Sequence, residues 1–328
     1  GIKILKNEVV VAENANNIGA AGYLPTITVS ADHYRSVYNT QQTFFSGAVN
    51  QSNVARSNST TATAMLNWTL FDGFKMFAID KRLDLQEDLA TMNLTAEMEM
   101  KIYQASVQFY TLLQLQELKT IYEKSIEISS ARYEQQSLKQ KLGAASEVQL
   151  IQARLDLYAD SSVYLKNENL IQNAKAGMNY LLGRDQSEPF VAEGSLSDMK
   201  SLDWETLKRK AIEQNTSILV NKANIAIRDQ QEREVKSNYF PQINFYAQYV
   251  FSNSESQVGI LNSNRAFGPG VGLSLSWNIL NDLSTYSVLK NAKIASENAE
   301  FVMKDQELFI TSELQKSFDT YQWTVRNL

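Results

Sequence analysis

Residues 22–34, GYLPTITVSADHY, mark a change in the pattern of the chain from helical to extended. The residues before them, 12–21, are alanine-rich and polar, which predicts a helix. After Pro25 the period becomes two, because Ile27, Val29 and Ala31 alternate with polar side chains. The change recurs at residues 238–250, NYFPQINFYAQYV. The sequence therefore predicts that a helical chain passes twice through a proline into a half-polar strand.

The composition excludes several classes of protein. The chain has 328 residues and a net charge of -5, without the basic clusters that bind nucleic acid. It has no cysteine, which rules out disulfides and thiolate metal sites. Its single histidine, His33, lies in the first predicted strand, where a packed or interfacial side chain is expected. We therefore expect no nucleic acid, no metal and no cofactor.

The hydropathy profile lacks any stretch near the ~18 apolar residues of a transmembrane helix. Such a profile is typical of soluble proteins and also of β-barrels, whose strands carry only an alternating signal. The first residues contain neither a charged n-region nor an apolar h-region, and both ends fall within helical patterns. We therefore expect a mature or clipped chain.

Two parts of the chain repeat each other, which predicts an internal duplication. Residues 23–25 (YLP) match 239–241 (YFP), and residues 67–72 (NWTLFD) match 276–281 (SWNILN). The first repeat is predicted over residues 1–184, as a helix, two strands and a long helical hairpin. The second is predicted over residues 185–328, as a helix, two strands and the truncated start of a long helix.

The second strand of each repeat has the length and pattern of a membrane-spanning strand. Residues 61–71 and 270–280 match the ~9–11 residues of a tilted strand that crosses a bilayer. An ordinary half-buried sheet would alternate in the same way. Aromatic side chains near strand ends are typical of a membrane interface, and five occupy such positions: Tyr23, Trp68, Tyr239, Phe240 and Trp277. The loops at 39–59 and 252–267 are polar and are expected to be exposed.

A long helical hairpin follows the first pair of strands. Residues 74–142 contain neither Pro nor Gly, and apolar side chains recur along them at helical spacing, which predicts a helix of roughly 100 Å. The helix is predicted to end at Leu142 and Gly143, since glycine suits a left-handed C-terminal position. Ser146 and Gln149 have the spacing of a capping box for the returning helix. A further helix is predicted at residues 204–236.

Four strands per chain cannot close a barrel, and an open sheet edge is not tolerated in lipid. Two copies would give an eight-stranded barrel, which its own side chains largely fill. A pore wide enough to pass a solute therefore needs three or more copies. The long helices would then extend its wall into an aqueous compartment.

The sequence resembles the TolC-like outer-membrane efflux proteins over nearly its whole length. The resemblance rests on the order of several short segments. They are 24–25 and 240–241 at the starts of strands, 68–73 at the end of a strand, 131–154 around the hairpin tip, and 181–183 at the end of the first repeat. It implies an α+β membrane protein, in which three chains form a twelve-stranded β-barrel, four strands each, continued by a long α-helical coiled-coil periplasmic tunnel. The implied location is the outer membrane of a Gram-negative cell, extending into the periplasm.

The resemblance also implies a function and partners. It implies a passive exit duct of a tripartite efflux or type I secretion system, which exports small molecules or proteins. The implied partners of the homotrimer are outer-membrane lipid, a periplasmic membrane-fusion adaptor and an inner-membrane RND or ABC pump. The adaptor-docking residues would be those of the hairpin tip: Arg132, Leu142, Gly143, Ala144, Ser146, Glu147 and Gln149.

Two other classes of function were weighed against the duct. A soluble coiled-coil scaffold or adaptor protein accounts for the helices and the hairpin turn, but not for four strands of membrane-spanning length. An enzyme is not expected, because the sequence has no phosphate-binding loop, no nucleophile paired with histidine and no cluster with metal-ligand spacing. No catalytic residues are therefore predicted.

Overall fold

The computed structural model describes residues 1–194, 202–258, 261–280 and 283–327. Contacts divide the chain into two compact units, one built from Gly1–Leu94 and Trp204–Arg326 and the other mainly from Thr95–Asp203. The helices and strands follow in this order: α1 Ile2–Ala15, β1 Thr26–Thr43, β2 Val49–Phe71, α2 Lys75–Lys141, α3 Glu147–Leu182, α4 Trp204–Gln214, α5 Thr216–Lys236, β3 Gln242–Ser256, β4 Ser263–Ser276 and α6 Ser284–Arg326. A helix–strand–strand–helix order thus occurs twice, while the duplication into repeats 1–184 and 185–328 stays a prediction.

The first unit contains a four-stranded antiparallel sheet in the order β1-β2-β3-β4. Its register pairs Ile27 with Leu66, Leu66 with Ala247, and Ala247 with Val271. Directly paired residues project from the same side of a sheet, so this row of apolar side chains lies on one face. The predicted alternation therefore holds across all four strands.

The strands are longer than predicted, and the two polar loops are mostly strand. The β1–β2 ladder continues to the pair Thr43 and Val49, and β3 pairs with β4 as far as Glu255 and Ser263. The prediction of loops at 39–59 and 252–267 is therefore wrong. Backbone pairing needs no apolar face, so Ser-, Asn- and Gln-rich segments can extend the hairpins.

The last predicted strand ends earlier than expected. β4 stops at Ser276 rather than at residue 280, because Ser276 already pairs with Gln242, the first residue of β3. No partner strand remains for the next residues, and Trp277 lies just beyond the sheet. Asn281, part of the predicted duplication, lies outside the described residues.

Two predicted helices differ from those observed. The helix predicted at residues 12–21 ends at Ala15, and the side chain of Asn16 instead donates hydrogen bonds to Asp84 and Glu87 on α2, at 3.1 and 2.7 Å. The helix predicted at 204–236 is broken at Asn215, whose side chain accepts a hydrogen bond from the Ser217 amide at 3.0 Å and caps α5. Asparagine favours such caps over helix interiors.

Polar contacts join the helices of the first unit. Arg82 on α2 forms an ion pair with Glu234 on α5, and both side chains are largely buried. Ser296 on α6 donates a hydrogen bond of 2.7 Å to Asp229 on α5. Trp204 on α4 packs against a ring of α6, that of Phe318, with centroids 5.3 Å apart.

The second unit contains α2 from Thr95 onward, α3, and the segment that follows α3. Its core contains Leu112, Ile171, Ala174 and Ala192. Amide side chains add cross-helix hydrogen bonds, because Gln108 donates to the carbonyl of Ala174 and Asn167 donates to that of Leu115. Lys119 lies 2.8 Å from Glu168, and this hydrogen-bonded pair raises the pKa of the lysine. The polar segment 183–203, which follows α3, belongs to this unit, and its residues 195–201 are outside the described ranges.

Of the helices in the described ranges, none combines the length and the apolar character needed to cross a membrane.

Candidate functional site

The two faces of the sheet differ in character. Side chains of the apolar face are exposed in the single chain, with Ile27 at 73%, Val29 at 77% and Val271 at 74%. Leu66, Leu273 and Leu275 lie on this face, since they pair with odd-numbered residues of β3. The opposite face carries small and polar side chains that pair with even-numbered residues: Thr63, Gly270, Gly272, Ser274 and Ser276. So large an exposed apolar surface is typical of contact with lipid or another protein.

Glycines on the polar face make room for larger neighbours. A Cβ added at Gly272 would lie 2.4 Å from the phenol group of Tyr246 on the paired strand. The polar face thus accommodates the Tyr246 ring flat against β4.

Both outer edges of the sheet are open. Within the described strands, β1 pairs only with β2, and β4 pairs only with β3. An unpaired edge presents a row of free N–H and C=O groups that can pair with another strand.

The predicted interface aromatics all lie at the end of the sheet next to the helices, and the structure joins four of them in pairs. The indole nitrogen of Trp68 donates a hydrogen bond of 2.9 Å to the carbonyl of Tyr23. Trp277 donates in the same way to the carbonyl of Tyr239, at 3.1 Å. The fifth, Phe240, packs edge-on against Phe74, with ring centroids 6.1 Å apart. Each tryptophan thus connects the end of a strand pair to its beginning.

Gly73 is the last residue of the predicted strand exit, and its role in this junction could not be read from the sequence. Its φ is +71°, and a Cβ added there would lie 2.5 Å from the carbonyl oxygen of Ser237 and 2.8 Å from the Cβ of Phe240. Only glycine satisfies both the left-handed backbone and the close approach of the chain before β3. Next to it, Asp72 accepts a hydrogen bond of 2.9 Å from the Met76 amide at the start of α2.

The hairpin tip has the predicted geometry. Gly143 has a φ of +74°, and the amide of Ala144 donates to the carbonyl of Lys139 at 2.8 Å, which closes the end of α2. The capping box is complete, because the Ser146 amide donates to the Gln149 side chain at 2.9 Å and the Gln149 amide donates to the Ser146 hydroxyl at 3.3 Å. These contacts confirm the predicted turn.

The exposed surface of the tip combines apolar and polar side chains. Leu142 and Val148 are 75% and 74% exposed, and Ala144 and Glu147 are also exposed. Arg132 and Gln149 line one shallow groove between α2 and α3, together with Ser129, Gln136, Gln152 and Asp156. The structure thus brings Arg132 and Gln149 into one groove. The apolar residues Leu142 and Ala144 lie at the turn, outside this groove.

Much of the apolar stripe predicted on residues 74–142 is uncovered in a single chain, and so are apolar side chains of α3. On α2, Met100, Tyr103 and Val107 are exposed, and on α3 so are Leu155 and Tyr158. The buried positions of α3 are instead small or amide side chains and a few apolar ones: Ala153, Asn167, Ile171, Ala174, Met178 and Asn179. The predicted helical period is therefore confirmed, while these apolar side chains stay uncovered in the single chain. Among the described residues, no group of three or more His, Cys, Asp or Glu side chains could hold a metal ion.

No protein-family model matches the chain, and a search of curated proteins gives no significant match. Solved structures do resemble it. The outer-membrane channel OprN has a TM-score of 0.74 at 16% sequence identity, over 98% of this chain and 70% of OprN. The outer membrane protein VceC from Vibrio cholerae has a TM-score of 0.76 at 12% identity, over 97% of this chain and 75% of VceC. The Campylobacter jejuni CmeC outer membrane channel has a TM-score of 0.75 at 14% identity, over 94% and 65%.

These likenesses establish the fold of the chain. It has the fold of outer-membrane channels, with four antiparallel strands and long helices. The chain spans 70% of the length of OprN and 65% of that of CmeC. The four strands and long helices predicted from the resemblance to the TolC-like outer-membrane efflux proteins are thereby confirmed, while the assembly of three chains into one barrel stays a prediction.

Proposed function

We propose that the chain is one subunit of a homotrimeric outer-membrane exit duct that serves a tripartite efflux or type I secretion system. The observation that carries the proposal is the sheet, which exposes a continuous apolar face, a polar opposite face and two unpaired edges. A soluble sheet would cover its apolar face with helices or a second sheet. In the proposed duct this face contacts lipid, and the polar face lines the lumen.

The open edges support assembly from several copies. In a bilayer, every backbone N–H and C=O group needs a partner, so β1 and β4 require strands from other chains. Three copies supply twelve strands, which enclose a channel wider than the filled interior of an eight-stranded barrel. The uncovered stripes on α2 and α3 would then pack against other copies of the chain, forming the coiled-coil wall of a periplasmic tunnel.

The hairpin tip is the proposed docking surface for a periplasmic adaptor, which connects the duct to an inner-membrane RND or ABC pump. Its support is an exposed apolar turn, with Leu142 and Ala144, next to a polar groove that contains Arg132 and Gln149. The duct itself is passive, and the pump supplies the energy. The exported molecules would be small molecules or proteins.

A Gly143→Val variant is expected to lose export while it keeps assembly. The left-handed φ of +74° disfavours valine by about 1–2 kcal/mol. A Cβ at this position meets no atom within 4 Å, so the strain stays local to the turn. The measurements are the yield of assembled protein in outer membranes and the export or drug resistance of cells that depend on this chain.

The matched control is Gly47→Val, which places the same strain, at a φ of +82° and without nearby atoms, in the β1–β2 turn. It is expected to leave both assembly and export intact. Normal export by an assembled Gly143→Val protein would contradict the docking role of the tip.

A further inference from the structure

The three arginines of the four strands all lie on the apolar face of the sheet, and these strands contain no lysine. On β1, Arg35 continues the alternation of Ile27 and Val29. On β2, Arg56 pairs with Val37 of the same face. On β4, Arg265 projects from the same face as Val271, because the two positions are six residues apart, an even number, along the strand. Three independent strands therefore place their only arginine on one side.

The arginines begin where the apolar side chains end. The last apolar row across the sheet contains Ala31, Ala62, Phe251 and Phe267. The following row contains His33, Thr60, Asn253 and Arg265, and the next contains Arg35. This boundary faces away from the helices, at the end of the sheet that the hairpin turns occupy.

The height of the apolar band places this boundary at headgroup depth. On β3 the band runs from Ile243 to Phe251, which is about 27 Å along the strand at ~3.4 Å per residue. A strand tilt of 35–45° reduces this to roughly 20 Å, close to the ~25 Å apolar band of outer-membrane barrels. Arg265 and Arg35 therefore lie just outside the hydrocarbon region in the proposed duct.

The opposite face at the same level has no positive charge. Along β1 it presents Asp32, Tyr34 and Ser36, and the paired segments of β2 and β3 present mainly serine. If both faces of this part of the sheet were exposed only to water, neither face would be favoured for arginine. One acid, Glu255, lies among them on the apolar side.

The guanidinium groups are available for a ligand. All three arginines are exposed, and no salt bridge occupies them within the described residues. Arg265 makes only a long hydrogen bond of 3.4 Å to the Asn253 side chain. In the same row, but on β1, His33 is hydrogen-bonded to Thr60 at 2.9 Å. A guanidinium group can donate two parallel hydrogen bonds to phosphate oxygens, whereas the ammonium group of lysine acts as a point charge.

We propose that Arg35, Arg56 and Arg265 form a binding surface for the phosphate groups of anionic lipids in the outer leaflet, an inference that rests on the proposed membrane position of the sheet. The arginines lie in three successive rows of this face, so the surface contacts phosphates across the headgroup region. Its ligand is the phosphorylated headgroup of a glycolipid, which covers the lipid-facing side of each subunit.

The test is a titration of the full chain, purified in dodecylmaltoside, with fluorescent diphosphorylated lipid A, followed by anisotropy. Each arginine near an anionic surface contributes about fivefold in affinity, so the triple variant Arg35→Gln, Arg56→Gln, Arg265→Gln is expected to lose on the order of 100-fold. Dephosphorylated lipid A should bind both proteins equally weakly. An unchanged affinity in the triple variant, or equal binding of the two lipids by the original protein, would overturn the proposal.

A second variant keeps the composition constant. Arg35→Ser combined with Ser36→Arg moves one positive charge to the opposite face at the same level, and it is expected to lose about fivefold in affinity. Asp32→Asn, on the opposite face, should change nothing. Oligomer mass and circular dichroism establish that each variant is folded. If the original protein is a detergent-free monomer, the proposed duct fails; if it inserts into vesicles without preferring phosphorylated lipid, only the phosphate surface fails.

Discussion

A Gly73→Val variant is expected to abolish assembly of the protein. Valine in a left-handed conformation costs about 1–2 kcal/mol. At this position its Cβ would also overlap the Ser237 carbonyl oxygen, at 2.5 Å, and approach the Cβ of Phe240 to 2.8 Å. Both obstacles are backbone or first-carbon atoms that cannot rotate away, so the chain before β3 must move. The combined cost is expected to be about 4 kcal/mol or more, which is in the exceptional range for one substitution.

The measurement is the midpoint of urea unfolding in mild detergent, together with the yield of assembled protein. Gly143→Val is the matched control, because its φ of +74° is nearly that of Gly73 at +71°, while no atom lies within 4 Å of its added Cβ. The difference between the two variants therefore isolates the close approach from the backbone strain. Equal losses of stability would mean that the approach of Ser237 to Gly73 is not needed in the folded protein.

The second large effect is expected for Leu273→Arg in β4. Leu273 is 67% exposed on the apolar face, and in the proposed duct it lies within the bilayer. An arginine near the midplane on the lipid side of a barrel costs about 2–4 kcal/mol. Ser274, the next residue, pairs with Asn244 and projects from the polar face, so Ser274→Arg places the same charge in the aqueous lumen.

The two variants are compared by folding into lipid vesicles under urea, read as the change in free energy of unfolding. Leu273→Arg should be less stable by about 2–4 kcal/mol, and Ser274→Arg should differ little from the original protein. Similar defects in both would contradict the assignment of one face to lipid and the other to water.

Local features of the fold could be predicted from the sequence because their causes are close together in the chain. Gly143, Ser146 and Gln149 form a complete stop and start signal within a few residues, and the structure contains every bond of it. The alternation of Ile27 and Val29 likewise requires only the two-residue period of a strand. The turn and the strand can therefore be predicted from short stretches of neighbouring residues.

Features that depend on distant residues could not be predicted. The need for glycine at position 73 arises from Ser237, and the hydrogen bond of Trp68 ends on Tyr23, so neither follows from neighbouring residues. The polar outer parts of β1 and β2 were predicted as loop because their stability depends on pairing with each other rather than on burial. The apolar stripe of α2 indicated a packed helix, although the surface that would cover it belongs to other chains in the proposed assembly.

The most direct test of the duct is the mass of the full-length protein extracted from membranes in mild detergent, measured by light scattering with the detergent contribution subtracted. A sheet with an exposed apolar face and two open edges predicts a protein that requires detergent and has three times the mass of one chain. A monodisperse monomer that stays in solution without detergent would contradict the account, and it would favour the soluble coiled-coil scaffold instead.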